Sequence, residues 1–194
     1  MDLIELIKTV GYLGLFSIVF AESGLFFGFF LPGDSLLFTA GFLASQGFLN
    51  IWVTLILVFI AAVTGDSVGY LFGKKVGPAL FKKEDSRFFK KEHLLKAEKF
   101  YEKNGAKTII LARFLPFVRT FAPIVAGVAN MNYGKFIRYN IIGGFGWSFG
   151  LTLGGYFLGR VIPNADKYLL PIIALIIIVS VAPTAWHLIK ERKK

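Results

Sequence analysis

Five charged side chains stand inside or beside apolar sequence: Glu22, Asp34, Asp66, Arg113 and Arg119. Arginine presents a planar fork of N–H donors that suits phosphate and carboxylate, and it stays charged in almost any surroundings. A carboxyl group held away from water gives up its proton less readily, so acids beside such arginines can exchange protons near neutral pH. Together the set could hold a phosphate headgroup on Arg113 and Arg119 while Glu22 and Asp34 take up protons. Unpaired at the centre of spanning helices, the five would cost about 3 kcal/mol each, roughly 15 kcal/mol in all. They must therefore pair, line a hydrated cavity or lie near an interface. For Asp66, a structural ion pair with a lysine of the neighbouring loop is as good a reading as a functional one.

The elements that must position these charges are long apolar segments. Residues 169–189 carry no Asp, Glu, Lys or Arg over 21 positions, and residues 51–73 carry one Asp over 23. Either length crosses a hydrocarbon core of about 30 Å as a helix. The pattern predicts spanning helices at Val10–Phe30, Ile51–Gly73, Phe136–Gly159 and Tyr168–Ile189. Between them lie two segments of another kind. Pro32 and Gly33 break the chain ahead of Ser35–Gly47, which is too short to span. Thr108–Met131 holds Pro116, Pro123, Arg113 and Arg119, a poor fit to one straight helix. Both read as re-entrant segments. Asn50 and Trp52 mark an interface between the first of them and the helix that follows.

The two halves resemble each other. At a shift of 86 residues, Ala40-Gly41 falls on Ala126-Gly127, Gly69-Tyr70 on Gly155-Tyr156, and Gly73 on Gly159. Leu31-Pro32 matches Leu115-Pro116 at a shift of 84. Each half thus runs Leu-Pro, short broken segment, Ala-Gly, spanning helix, Gly-Tyr-x-x-Gly. If the Lys-rich stretch between the halves is cytoplasmic, the two repeats run in opposite senses. Inverted repeats with broken helices are the architecture of secondary transporters.

Charge distribution sets that orientation. The formal net charge is +10, and 11 Lys/Arg against 5 Asp/Glu fall between Lys74 and Lys107. Basic loops stay on the cytoplasmic side and attract anionic lipid, which explains the basicity better than nucleic acid does. Within this stretch Asp85 or Ser86 can cap a helix that Asn104-Gly105 ends, with Leu94, Ala97 and Tyr101 on one apolar face. Such a helix lies on the membrane surface or packs on the protein. The opening MDLIELIK lacks a basic n-region, so no signal peptide is expected. There is no Cys, and His93 and His187 lack ligand spacing, so neither a metal site nor a cofactor is expected. Gly65-Asp66-Ser67-Val68-Gly69 matches the G-x-S-x-G of hydrolases, but it lies within a spanning segment with no His partner. No enzyme is expected, and the glycines read as close helix packing.

Several stretches resemble the DedA family of bacterial membrane proteins, relatives of the SNARE-associated Golgi (VTT-domain) proteins. They are ESGLFFGFFLPGD at 22–34, the GD-x-x-GY of Gly65–Tyr70, and RFLPFVR at 113–119 followed by P-x-x-A-G at 123–127. Asn140 and Trp147, with Gly-Tyr at 155–156, fit the same pattern. The resemblance covers about residues 10–160. It implies lipid transport between leaflets, with undecaprenyl phosphate, phospholipid scrambling and dependence on proton motive force as family themes. It marks Glu22 and Asp34 as essential acids and Arg113 and Arg119 as essential arginines. Pro32, Gly33, Asp66, Gly69, Tyr70, Pro116, Gly127, Asn140 and Trp147 are supporting positions.

The sequence is therefore read as one all-α polytopic membrane domain, 1–194, of the inner (plasma) membrane. It comprises repeat one (10–77), a cytoplasmic amphipathic segment (78–107), repeat two (108–163) and a last transmembrane helix (168–189), making about four spanning helices and two re-entrant segments. On the family pattern, the expected function is proton-coupled translocation of a polyprenyl phosphate. The expected partners are that lipid, anionic phospholipid and protons, with no nucleic acid; a homo-oligomer is left open. The alternatives are an uncoupled phospholipid scramblase and a membrane organiser without a transport path. Positive charge places both termini and the Lys-rich loop in the cytoplasm. Lys83→Cys, Lys103→Cys and Lys193→Cys should each resist an impermeant thiol reagent applied to intact cells. Labelling at position 103 would reverse the orientation.

Overall fold

Short helices stand between long ones, and Gly, Pro or Asn marks several of the places where they start or stop. A computed structural model describes residues 3–25, 28, 31–82 and 107–161. Among these the chain forms six α-helices and no strand: α1 (Leu3–Gly24), α2 (Gly33–Ser45), α3 (Ile51–Lys82), α4 (Lys107–Arg113), α5 (Pro116–Val128) and α6 (Tyr133–Val161). Among the described residues, two stretches are long and apolar enough to cross a membrane, Ile51–Gly77 with 27 residues and Tyr133–Val161 with 29. The expected helix at 168–189 and most of the amphipathic segment at 78–107 lie outside the described residues.

The short helices have local causes. At 13 residues α2 is about 20 Å long, well under a hydrocarbon core. It starts directly after Pro32, with the Leu36 N–H donating to the Pro32 carbonyl at 2.9 Å. Between α4 and α5 the break is two residues, Phe114 and Leu115, and a proline opens α5, where its missing N–H goes unneeded. The two 13-residue helices are each followed by a residue in the left-handed region, Gly47 (φ 82°) after α2 and Asn130 (φ 50°) after α5. An asparagine starts the long helix that follows. The Asn50 side chain accepts from the N–H groups of Trp52 and Val53, at 3.0 and 3.2 Å, and the Asn132 side chain accepts from that of Lys135 at 3.1 Å. Asn50, read from sequence as an interface marker, is thus the N-cap of α3.

The first helix differs from expectation. It ends at Gly24 and does not run to Phe30. A Cβ on Gly24 would come within 2.5 Å of the Gly65 carbonyl oxygen, and one on Gly28 would strike the Ala21 and Glu22 carbonyls. The chain folds tightly over the end of α1, and Glu22 is left in its last turn.

The residues group into two compact units. Of the described residues, one unit comprises 3–18, 31–59 and 148–161; the other comprises 19–25, 28, 60–82 and 107–147. In the first, α2 packs on the end of α6. A side chain on Gly41 would run into the Thr152 carbonyl, one on Gly155 into the Phe38 carbonyl, and one on Gly159 into Ser45. Gln46 donates to the Gly159 carbonyl at 3.0 Å. In the second, α5 packs on the end of α3. A side chain on Gly127 would run into the Tyr70 carbonyl and one on Gly73 into the Ile124 carbonyl. The Tyr70 hydroxyl donates to the Met131 carbonyl, and its ring stacks on Phe136 at 4.6 Å. Gly41 and Gly127, matched in sequence, each meet a carbonyl of a long helix, whereas Gly73 meets the Ile124 carbonyl and Gly159 the Ser45 side chain. In each unit the short helix of one half lies against the long helix of the other half.

Backbone-to-backbone contact of this kind leaves no room for a methyl group. Gly41→Val and Gly127→Val should each lower stability by at least the 1–3 kcal/mol typical of overpacking. Gly150→Val, where a Cβ meets nothing within 4 Å, should leave it nearly unchanged. Thermal unfolding in detergent measures all three.

Candidate functional site

The buried charges of the second unit form two ion pairs beside one tryptophan. Glu22, in the last turn of α1, is fully buried. An acid there faces the negative end of the helix dipole, so the position is unfavourable without a cation. Arg119, 9% exposed, supplies it: its Nε donates to Glu22 Oε1 at 2.7 Å, and its Nη2 lies 2.5 Å from the same oxygen. Arg119 belongs to the first turn of α5, so the break at Phe114-Leu115 lets two arginines six residues apart point into one region.

Arg113, the last residue of α4, makes the second pair. Its Nη2 donates to Asp66 Oδ2 on α3 and to Asn140 Oδ1 on α6, the latter at 2.6 Å. The Asn140 amide in turn donates to the Val63 carbonyl at 3.1 Å, tying α6 to α3. All these charged groups are less than a tenth exposed. The cluster is neutral as two carboxylates and two guanidinium groups, the arrangement that buried charge requires.

The face of α6 that meets Arg113 reads Asn140, Gly143, Gly144, Trp147, the i, i+3, i+4, i+7 spacing of one helix side. A Cβ on Gly144 would stand 3.4 Å from Arg113 Nη1 and 3.1 Å from Val63 Cγ2. The two glycines form the trough in which the arginine lies. At its end, the buried Trp147 ring carries Arg119 Cζ at 4.8 Å and Arg113 Cζ at 5.7 Å from its centroid.

The positions singled out from sequence divide into three sets. Glu22, Asp66, Arg113, Arg119, Asn140 and Trp147 come together in the charge cluster. Gly69, Tyr70 and Gly127 belong to the α3–α5 packing, and Pro116 opens α5. Pro32, Gly33 and Asp34 lie at the start of α2 in the first unit, Asp34 in the acid-favouring first turn. Asp66 pairs with Arg113. Gly143 and Gly144 were missed, although an Asn-x-x-Gly-Gly-x-x-Trp helix face is a readable sign of a bulky side chain crossing it. Ser67, the would-be nucleophile, donates to the Val63 carbonyl within α3 at 2.8 Å. Among the described residues no group of His, Cys, Asp or Glu could hold a metal ion. Two buried hydroxyls, Thr120 and Thr152, have no hydrogen-bond partner. Thr152 stands where the repeat would place a second Asp66.

The VTT domain family matches residues 31–157, more than half of the chain. This chain belongs to the DedA (VTT-domain) family. It is 46% identical over 198 residues to the Escherichia coli protein DedA, covering 100% of this chain and 90% of that one. An uncharacterized membrane protein of Mycobacterium leprae is 51% identical over 173 residues, 88% of this chain and 77% of its own. The E. coli inner membrane protein YqjA is 33% identical over 174 residues, 85% and 79% of the two chains. No solved structure matches. This DedA-family chain is therefore a membrane protein. The matched domain includes Asp34, Asp66, Arg113, Arg119, Asn140 and Trp147, and Glu22 lies just ahead of it.

Removing one partner of a buried pair strands the other. Arg119→Met should destabilise the protein by about 3–5 kcal/mol, and adding Glu22→Leu should recover most of the loss. Denaturant unfolding in detergent compares the single and double variants.

Proposed function

We propose that this protein translocates a phosphate-bearing lipid, a polyprenyl phosphate, between membrane leaflets, with proton uptake coupled to headgroup binding. In this reading the chain has about four spanning helices and two re-entrant segments related as an inverted repeat, with both termini cytoplasmic. The observation that carries it is the pair of buried arginines, each holding a carboxylate, beside one indole. A purely structural cluster could use apolar residues at lower cost. A phosphate recognition site needs guanidinium forks, and carboxylates keep them neutral until the headgroup arrives. The family membership, the inner-membrane name of one relative and the packing of each half's short helix on the other half's long helix support the same reading.

The coupling follows from charge. A phosphate adds one or two negative charges and competes for the donors that hold Glu22 and Asp66. In poorly hydrated surroundings the surplus is relieved by proton uptake on a carboxylate. Binding and protonation are then linked, and by reciprocity acid tightens binding of the lipid. Asp34, on the first turn of α2, is assigned as a further coupling acid on the family pattern.

The test is a leaflet-resolved transport assay in liposomes, with undecaprenyl phosphate against ordinary phospholipid. The wild type should move undecaprenyl phosphate faster and respond to an inward-acid proton gradient. Arg113→Lys should lose most of the activity, because a point charge replaces the fork. Undecaprenyl phosphate binding should strengthen as pH falls from about 8 to about 5, and Asp34→Asn should bind at least as well with a shallower profile. Equal profiles for wild type and variant would remove Asp34 from the coupling. Equal transport of both lipids without a gradient response would favour the scramblase, and full activity of Arg113→Lys would favour a membrane organiser.

A further inference from the structure

Trp147 lies against both arginines, and none of the chemistry above uses it. A guanidinium group bonds carboxylate or phosphate through the N–H donors at its edge, while its attraction to an aromatic face uses the charge itself. The two uses need not compete. Arg113 spends its Nη2 on Asp66 and Asn140 and still reaches the indole; Arg119 spends Nε and Nη2 on Glu22 and lies closer to the ring. Burial of the ring and of both arginines keeps water from screening the contact.

A contact that is equal with carboxylate and with phosphate at the edge cancels from the binding equilibrium. It does not cancel from the step between. To exchange one anion for the other, an arginine must pass through a state in which its edge is unpaired, and there an exposed positive charge over an aromatic face is most strongly held. Resting on the phosphate-lipid reading above, we propose that Trp147 is a positioning residue that holds Arg113 and Arg119 while they pass from their carboxylates to the headgroup. The ring sets the speed of exchange and leaves the affinity nearly unchanged.

The test varies the ring's electron density at constant shape. In full-length protein with Trp52→Phe and Trp186→Phe, position 147 carries tryptophan or its mono-, di- and trifluorinated forms. Undecaprenyl phosphate binding is followed by stopped flow in phosphatidylcholine nanodiscs. Association and dissociation rates should fall together with each added fluorine, while Kd stays within about twofold. Trp147→Leu should be roughly three- to thirtyfold slower, with Trp147→Phe between. Rates that ignore fluorination would overturn the proposal, as would a Kd that rises with fluorine through dissociation alone.

A second measurement needs no lipid. Hydrogen exchange of the Arg119 Nε–H, which donates to Glu22, reports opening of that ion pair. It should slow along the same fluorine series, and an unchanged rate would sink the holding role. If the parent protein fails to bind undecaprenyl phosphate, the lipid reading falls, and the exchange measurement alone decides the role of Trp147.

Discussion

Buried charge must be neutralised locally where water cannot reach it, and that constraint organises the second unit of this protein. Glu22 and Asp66 come from α1 and α3, Arg113 and Arg119 from α4 and α5, and Asn140 and Trp147 from α6. Five helices are thus tied to one cluster. The backbone around it follows from the same need. The two-residue break before Pro116 aims two arginines into one region, and α1 stops after Glu22, which puts the acid at a helix end.

Close helix contact is the second device. Where α2 meets α6, and where α5 meets α3, glycines bring main chain against main chain. In lipid, packing of this kind replaces the hydrophobic driving force available in water. The same choice appears beside Arg113, where Gly143 and Gly144 yield their space to the guanidinium stem. One small-residue strategy therefore serves both the scaffold and the site.

The two halves of the sequence differ in charge at one matched position, Asp66 in the first and Thr152 in the second. Asn50 and Asn132 cap the long helices alike, and Gly47 and Asn130 follow the 13-residue helices. The Thr152 hydroxyl is buried with no hydrogen-bond partner among the described residues, whereas Asp66 pairs with Arg113.

The sequence by itself determined the helical class, the short broken segments and the residues that had to be neutralised. Run length, Pro-Gly breaks and charge in apolar surroundings are local properties, and they are legible without contacts. It also carried the glycine repeat, because the matches lie at a nearly constant spacing. The partners were decided only by the tertiary structure. Nothing local says that Asp66 meets Arg113, that Asn140 joins them, or that Trp147 lies beside both arginines, since these residues are brought together from different helices. The end of α1 at Gly24 was hidden for the same reason: Leu25–Phe30 is apolar enough to continue a helix, and only the structure shows Gly28 folded back on the Ala21 and Glu22 carbonyls.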